Sequence, residues 1–360
     1  MTACQERDNP SRGGPLSGQP WSLLSMKRQG HSPRAAVYAF RLTTWAYFGL
    51  SVSACFLIRC LGDRWWPATL LLLGPRWIFV VPCLLLVPAA ALWNRRSLPL
   101  LGVTFFVVVG PLMGFCVSMR GLLGGHPDGF ALRIVSCNAH GSAMIPAAMS
   151  ALLASTHPDL VTIQEWPSDA LPPLITNPSW HIVSDGELHV ESRYPIRQVA
   201  SIFTNGGSLG GGAAARFVIA SPIGSIVLIN LHLLTPHTAL REVVHFASSG
   251  PTLIDETNQA RQREAALLEV AAKESGARVI LAGDFNMPVD GGVYNRDFNC
   301  FTDAFSAAGL GFGWTYRARG TLVRIDHILT GADWCCQSCR VESTVGSPHL
   351  PLIAELQLRR

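Results

Sequence analysis

Acidic side chains are scarce in the first third of this 360-residue chain. Only Glu6, Asp8 and Asp63 lie within residues 1–120, against twelve Lys and Arg, so the front part carries +9. The rest, with 21 acids and 16 Lys and Arg, carries −5, and the whole-chain charge of +4 hides the split. A chain this long is expected to hold more than one region. The acidity of the rear part argues against non-specific nucleic-acid binding, which needs many Lys and Arg on phosphates. A local basic groove on an acidic domain stays compatible with it. No apolar run begins early enough for a signal peptide. A second CxxC is also missing. The ten cysteines are scattered, and CCQSC at 335–339 lacks the partner pair of a structural zinc site. These cysteines read as packed thiols, or as disulfide partners in an oxidising compartment. No internal repeat is present.

What the front part does have is apolar length. Residues 1–34 carry Gly, Pro, Ser, Gln and charge, and read as a disordered tail. Three stretches without a charged side chain follow, at 42–58, 77–93 and 98–119. Each is near the roughly 17–25 residues that cross a bilayer, and their prolines are tolerated there. Trp77 and Trp93 bracket the second as interface anchors do. The expectation for 35–120 is a membrane region of three transmembrane helices, with 67–74 as a short re-entrant or interfacial piece. Lys27, Arg28, Arg34, Arg41, Arg95 and Arg96 then share one side, which the positive-inside rule makes cytoplasmic. The tail is cytoplasmic with them. Arg59, Arg64 and Arg76 on the other side oppose this. The expected protein is multi-pass in the inner membrane with its rear domain extracytoplasmic; a fourth span at 67–74 would reverse it.

A linker at 121–130 precedes a change of character. ALRIVSCNA, LVTIQE, SIVLINLHL, RVILAGDF, VRIDHIL and LPLIAEL read as strands between turn signals. IPAAMSALLAS and TNQARQREAALLEVAAKES read as helices, the latter stopped by Gly276. Residues 131–360 are therefore expected to form an α/β domain with buried strands.

Several of these apolar strands end in groups that apolar strands do not need. They are Asn138, Glu165, His232, Asp284 with Asn286, Asp326 with His327, and His349. Singly, each has an ordinary explanation as a helix cap, a solvated turn or a core histidine. Together, strand-end groups converge on one edge of a sheet. Carboxylates suit a hard cation. A water needs a base, and developing phosphoryl charge needs donors.

The ordered set SCNAHG, TIQE, SRYPI (192–196), INLHLLTP, AGDFN, TDAF (302–305), RIDHI and GSPHLPLIAEL resembles the endonuclease/exonuclease/phosphatase superfamily over nearly all of 131–356. The front part, including GPRW at 74–77, is similar to bacterial members with three N-terminal spans. The resemblance implies a four-layer α/β sandwich, two packed mixed sheets flanked by helices, with the site at their upper edge. It implies a Mg²⁺- or Mn²⁺-dependent phosphoester hydrolase, with Glu165 as principal metal ligand and Asn138 beside the metal or phosphate. Asp284 would orient or deprotonate the water, and Asn286 would hydrogen-bond a phosphoryl oxygen. His232 would contact the phosphate or protonate the leaving group, and Asp326 would orient His349. His327 is expected to be structural, and Arg193 to tie a turn.

HLLTP carries the histidine of the deoxyribonuclease and sphingomyelinase branches and lacks the tyrosine of exonuclease III-type enzymes. A phosphodiesterase acting on nucleic acid or a phospholipid headgroup is therefore expected, with the lipid bilayer as its other partner and no obligate protein partner. No Lys/Arg-rich insert is present to grip several phosphates, which ranks a phosphoinositide-type monoesterase lower. One departure stands out. The usual Ser-Asp-His reads Ser347-Pro348-His349, and proline offers neither a carboxylate nor a backbone donor. The alternative is a catalytically impaired, membrane-anchored binding module.

Overall fold

The computed structural model describes residues 33–118, 129–167, 172–204, 211–245, 247–318 and 320–359. Residues 1–32 of the expected tail at 1–34 and most of the expected linker lie outside the described residues, and Pro33 and Arg34 already belong to a helix.

The front part is helical. Helix α1 spans Pro33–Leu61, α2 Trp66–Leu73, α3 Val81–Trp93 after a 3-10 stretch from Arg76, and α4 Leu98–Val107, continuing as a π turn to Leu112. Three continuous pieces, Arg34–Leu61, Arg76–Trp93 and Arg95–Leu112, are long and apolar enough to cross a membrane. At 1.5 Å per residue they measure roughly 42, 27 and 27 Å, against a hydrocarbon core of about 30 Å. They pack together through Ala54, Ile58, Cys83, Ala90, Leu101 and Val108, yet leave Leu85, Leu92 and Phe106 at least 70 % exposed. Their hydroxyls bond to backbone carbonyls one turn back, Thr44 to Phe40, Ser51 to Tyr47 and Thr104 to Leu100. That leaves few polar groups needing water.

One detail departs from expectation. The third stretch ends at Leu112 rather than at 119. Pro111 lies in the π turn, and Gly114 takes a left-handed φ of 78°. The chain then forms β1 (Cys116–Val117), paired with β11 (Leu310–Gly311). The 67–74 piece is an eight-residue helix, about 12 Å long, too short to span. Its Thr69 Oγ1 accepts a 3.0 Å bond from Asn258 of the rear domain.

The rear part is built on two six-stranded mixed sheets. One runs β15 (Trp334–Val341), β16 (Leu352–Leu358), β2 (Ala131–Asn138), β3 (Leu160–Gln164), β5 (Leu188–Ser192), β4 (His181–Asp185). The other runs β10 (Thr302–Asp303), β14 (Asp326–Thr330), β9 (Val279–Asp284), β8 (Gly224–His232), β7 (Ala213–Ser221), β6 (Ile196–Phe203). Strand periodicity sorts the side chains into layers. Ile134, Phe217, Leu228, Ile280, Ala282 and Leu356 fill the space between the sheets. Their strand neighbours face outward. Val135, Cys137 and Ile163 meet Met149 and Leu153 of the helix Pro146–Thr156. Leu231, Val279 and Leu281 meet Ala265, Leu268 and Ala272 of the helix Gly250–Glu274. The result is helix, sheet, sheet, helix. A buried polar bridge joins the sheets: Gln164 Nε2 donates to Asn230 Oδ1 at 2.7 Å, and Asn230 Nδ2 donates to the Ile163 and His189 carbonyls.

The parallel pairs β2–β3 and β8–β9 finish at the same edge, where the antiparallel β14 begins. In register, Asn138 meets Gln164, His232 meets Asp284, and Asp284 meets Asp326. Gly283 lets β9 pass this edge. Its φ is 149°, and a Cβ there would lie 1.9 Å from the Leu231 carbonyl oxygen. Cys336 and Cys339 are buried between the sheets, and Cys335 is half-buried.

Candidate active site

The strand ends bring all seven expected residues into one connected group. Asn138 closes β2, and its Nδ2 lies 2.9 Å from Glu165 Oε1 and 3.1 Å from Asp284 Oδ2. Glu165 follows β3 in a left-handed conformation, φ 50°. Asn286 shares that φ, and both positions store backbone strain of the kind that collects at functional sites. Asn286 is fixed by its N–H on Asp284 Oδ1 at 2.8 Å, its Nδ2 on the Leu233 carbonyl at 2.8 Å, and the buried Arg261 on its own carbonyl.

Two imidazoles point at the same carboxylate oxygen. His349 Nε2 lies 3.7 Å and His232 Nε2 3.8 Å from Asp284 Oδ2. Each ring is held from behind by its own acid. His349 Nδ1 is 3.0 Å from both Asp326 oxygens, and His232 Nδ1 is 2.9 Å from Glu187 Oε1. Burial disfavours a charged His232, but the bond to Glu187 and the charges of Asp284, Glu187 and Glu165 outweigh it and raise its pKa to about 9. Burial likewise opposes a charged His349, and Asp326 and Asp284 raise it to about 9. Burial, then Asp326, pushes the Asp284 carboxyl up, while the two histidines pull it down.

The segment around Pro348 is tied into this edge. Ser347 Oγ donates to the Asn138 carbonyl at 2.7 Å and accepts from His349 N–H at 3.1 Å. The Pro348 carbonyl accepts from Arg317 N–H at 3.0 Å.

The donors suit a hard divalent cation. Asp284, Asp326 and His349 offer ligand atoms within 4.8 Å of one another. Yet Asp326 gives both oxygens to the His349 ring, so these two form a hydrogen-bonded pair better than two ligands. Glu165, 29 % exposed where Asp284 is 2 %, is the more accessible carboxylate, and the Asn138 amide lies beside it.

The profile of the Endonuclease/Exonuclease/phosphatase family matches residues 135–349, from within β2 to His349. This chain belongs to that family. Solved structures similar to it include D. rerio TDP2 complexed with single strand DNA product, at 16% identity over 63% of this chain and 99% of that one, TM-score 0.48. An endonuclease/exonuclease/phosphatase from Bacteroides vulgatus is 17% identical over 64% of this chain and 100% of that one, TM-score 0.46. Another from Beutenbergia cavernae is 16% identical over 63% and 72%, TM-score 0.43. No curated protein matches the sequence. Members of the endonuclease/exonuclease/phosphatase family are in general metal-dependent phosphoester hydrolases.

Other expected residues of the family motifs are structural here. His327 spends Nδ1 on Asp303 at 3.1 Å and Nε2 on the Met287 carbonyl at 2.8 Å. Arg193 pairs with Asp159 at 2.9 Å and bonds the Pro158 carbonyl. Asp303 of TDAF caps the helix Ala304–Ala308 through Ser306 N–H and pairs with Arg324 at 2.8 Å. Sequence reasoning missed Glu187. It sits in the two-residue turn Gly186-Glu187 between β4 and β5, and Gly186 at the first turn position, φ 58°, is the hairpin signal there.

Proposed function

We propose that the chain is a membrane-anchored, metal-dependent phosphodiesterase acting on nucleic acid or a phospholipid headgroup. The observation that carries this is the pair of acid-backed imidazoles directed at Asp284 Oδ2. Hydrolysis of a diester needs a positioned water, positive charge at the phosphoryl oxygens and a proton for the leaving group. Asp284 orients or deprotonates the water. Asn286 bonds a phosphoryl oxygen. His349, kept charged by Asp326, faces the phosphate, and His232, kept charged by Glu187, protonates the leaving oxygen. Glu165, with Asn138 beside it, would hold Mg²⁺ or Mn²⁺, which supplies positive charge against the phosphoryl group.

We place the N-terminus and the Arg95–Arg96 turn in the cytoplasm and the catalytic domain outside. The chain just after α1, the start of the second apolar piece at Arg76 and the chain just after the third piece all lie against the rear domain, which favours three spans. Arg76, one of the opposing charges, is paired with Asp290 there. A reporter active only in the cytoplasm, fused after Arg360, should stay silent; a strong signal overturns the orientation.

The activity is tested on the full chain in nanodiscs with Mg²⁺ and Mn²⁺, against bis-p-nitrophenyl phosphate, plasmid DNA, RNA, sphingomyelin and inositol phosphates. Metal-dependent diester turnover, lost in Asp284→Asn, is expected. A second reading, a binding module that no longer turns over, is favoured by Pro348 alone. Binding of a diester without turnover in a folded chain would select it.

A further inference from the structure

The sequence motif GPRW at 74–77 lies well before the rear domain begins at residue 131, yet its last two side chains reach both flanks of the candidate active site. Arg76 is half-buried, with its side chain 10 % exposed. Its guanidinium bonds the Leu72 carbonyl at the end of α2, the Leu112 carbonyl at the end of the third span at 3.1 Å, and the carboxylate of Asp290 with both terminal nitrogens. Asp290 closes the loop that starts at Asp284 and carries Asn286. Asp63, also from the membrane region, accepts the Val293 N–H just beyond it at 3.0 Å.

Trp77 holds the other flank. Its Nε1–H donates at 2.8 Å to the carbonyl of Gly320, in the turn between β12 (Tyr316–Ala318) and β13 (Thr321–Val323). Tyr316 opens that hairpin. Its ring packs edge-on against His349 with centroids 4.9 Å apart, and its backbone bridges to the same residue.

We propose that Arg76 and Trp77 are positioning residues, so that the start of the second span is part of the frame that fixes the 284–290 loop and the hairpin behind His349. A planar fork is needed at position 76, because three acceptors on three segments are met by one guanidinium; an ammonium is a point charge without that fixed geometry. Displacement of a reacting group by about 1 Å costs on the order of 10²-fold in rate. The groups displaced are those placed at the reacting phosphoryl group, so the loss falls mainly on kcat. The proposal rests on the phosphodiesterase reading of the edge for its kinetic consequence and not for its structural one.

The test uses the full chain in nanodiscs and two readouts. The first is kcat and KM for bis-p-nitrophenyl phosphate with Mn²⁺. The second is hydrogen exchange of segments 284–293 and 316–323. Arg76→Ala is expected to lower kcat about 10- to 100-fold with KM changed less than about threefold, and to speed exchange in 284–293 while β2 and β8 stay protected. Arg76→Lys should fall between it and wild type. Trp77→Phe removes the N–H donor while keeping an aromatic ring, and should speed exchange in 316–323. If Arg76→Ala fails to fold, Arg76→Lys and Trp77→Phe carry the test. Unchanged exchange in both segments overturns the proposal, and so does faster exchange with unchanged kcat. If wild type turns over no diester, the phosphodiesterase reading fails, and exchange alone then decides whether the clamp exists.

Discussion

Two histidine–carboxylate pairs face each other across Asp284, and the chain builds them differently. Asp326 is the first residue of β14, directly opposite Asp284 in the ladder, with its N–H on Thr315 Oγ1 at 3.0 Å. It is 1 % exposed and gives both oxygens to His349. Glu187 sits in a hairpin turn, is 25 % exposed and gives one oxygen to His232. The first pair is set by the sheet itself. The second hangs from a turn that touches solvent. A buried pair suits a fixed charge against the phosphoryl group, and a pair in contact with water suits an acid that must be reprotonated every turnover.

The common partner of both pairs gives the largest expected effect. Asp284→Asn should lower the rate by about 10²–10⁴-fold, because the water loses its base or orienting group. Glu165→Gln should lose most activity and recover in part at high Mn²⁺, which separates a cation role from a proton role. Folding should survive both, as read from the thermal midpoint. Wild-type diester hydrolysis in both variants would place the site elsewhere.

The pairs themselves should differ in size. Asp326→Asn is expected to cost about 10²-fold, the lower end of a general-acid effect, and Glu187→Gln about tenfold, below that range, because its ring can still be protonated from water. The pH profile sharpens the contrast. Both rings hold a proton to about pH 9, so wild-type activity should fall as pH rises through that value. Glu187→Gln removes a hydrogen-bonded negative charge from His232, and its alkaline limb should move to lower pH. Equal losses with unmoved limbs would erase the distinction between the pairs.

Much of this edge is legible in the sequence because strand ends are. Asn138, Glu165, His232 and Asp284 each follow an apolar run, and a run that is buried must end at an edge. Glu187 is not legible in the same way. Its strand reads Leu188-His189-Val190-Glu191-Ser192, polar at three of five positions, yet it is fully buried. Glu191 there is satisfied by the Leu174 and Ile175 N–H groups, and His189 by Ser184 and Glu191. Hydrophobic periodicity is silent where hydrogen bonds permit burial. β6 is missed for the opposite reason, being an edge strand with mostly exposed residues. Arg76 and Asp290 stand 214 positions apart, a pairing that no local pattern encodes.

A third acid–histidine pair acts as a control. Asp303 and His327 are buried beside the site, but both ring nitrogens of His327 are used within the fold. Burial alone would raise the Asp303 carboxyl; Arg324 and His327 hold it far below the carboxylate range instead. Asp303→Asn should therefore cost about 2 kcal/mol of stability and leave the alkaline limb of activity in place. The folded-state pKa is depressed, so this stability is present above the ordinary carboxylate value of about 4 and is lost as pH falls below it. The gap between wild type and variant in urea midpoints should narrow in that acid range. A gap that persists unchanged at pH 3 would mean that the carboxylate charge is not its source.

The smallest change expected is at Pro348, where the two readings of the molecule separate. Asp there would add an oxygen ligand beside the edge and a backbone N–H that proline lacks. The surrounding bonds do not depend on the ring. Ser347 Oγ links the Asn138 carbonyl to the His349 N–H, and the Pro348 carbonyl holds Arg317, all of which an Asp can keep. Pro348→Asp should therefore leave His349 on Asp326, lower the Mg²⁺ concentration at half-maximal rate and raise the rate a few-fold, roughly 1 kcal/mol or less in the barrier. The measurement is a metal titration of both proteins on one diester. A lower rate with intact folding would show that the loop depends on the proline to aim His349. No turnover in either protein, both folded and given the full substrate panel, would select the binding module, because one restored carboxylate cannot recover a site whose other groups no longer act together.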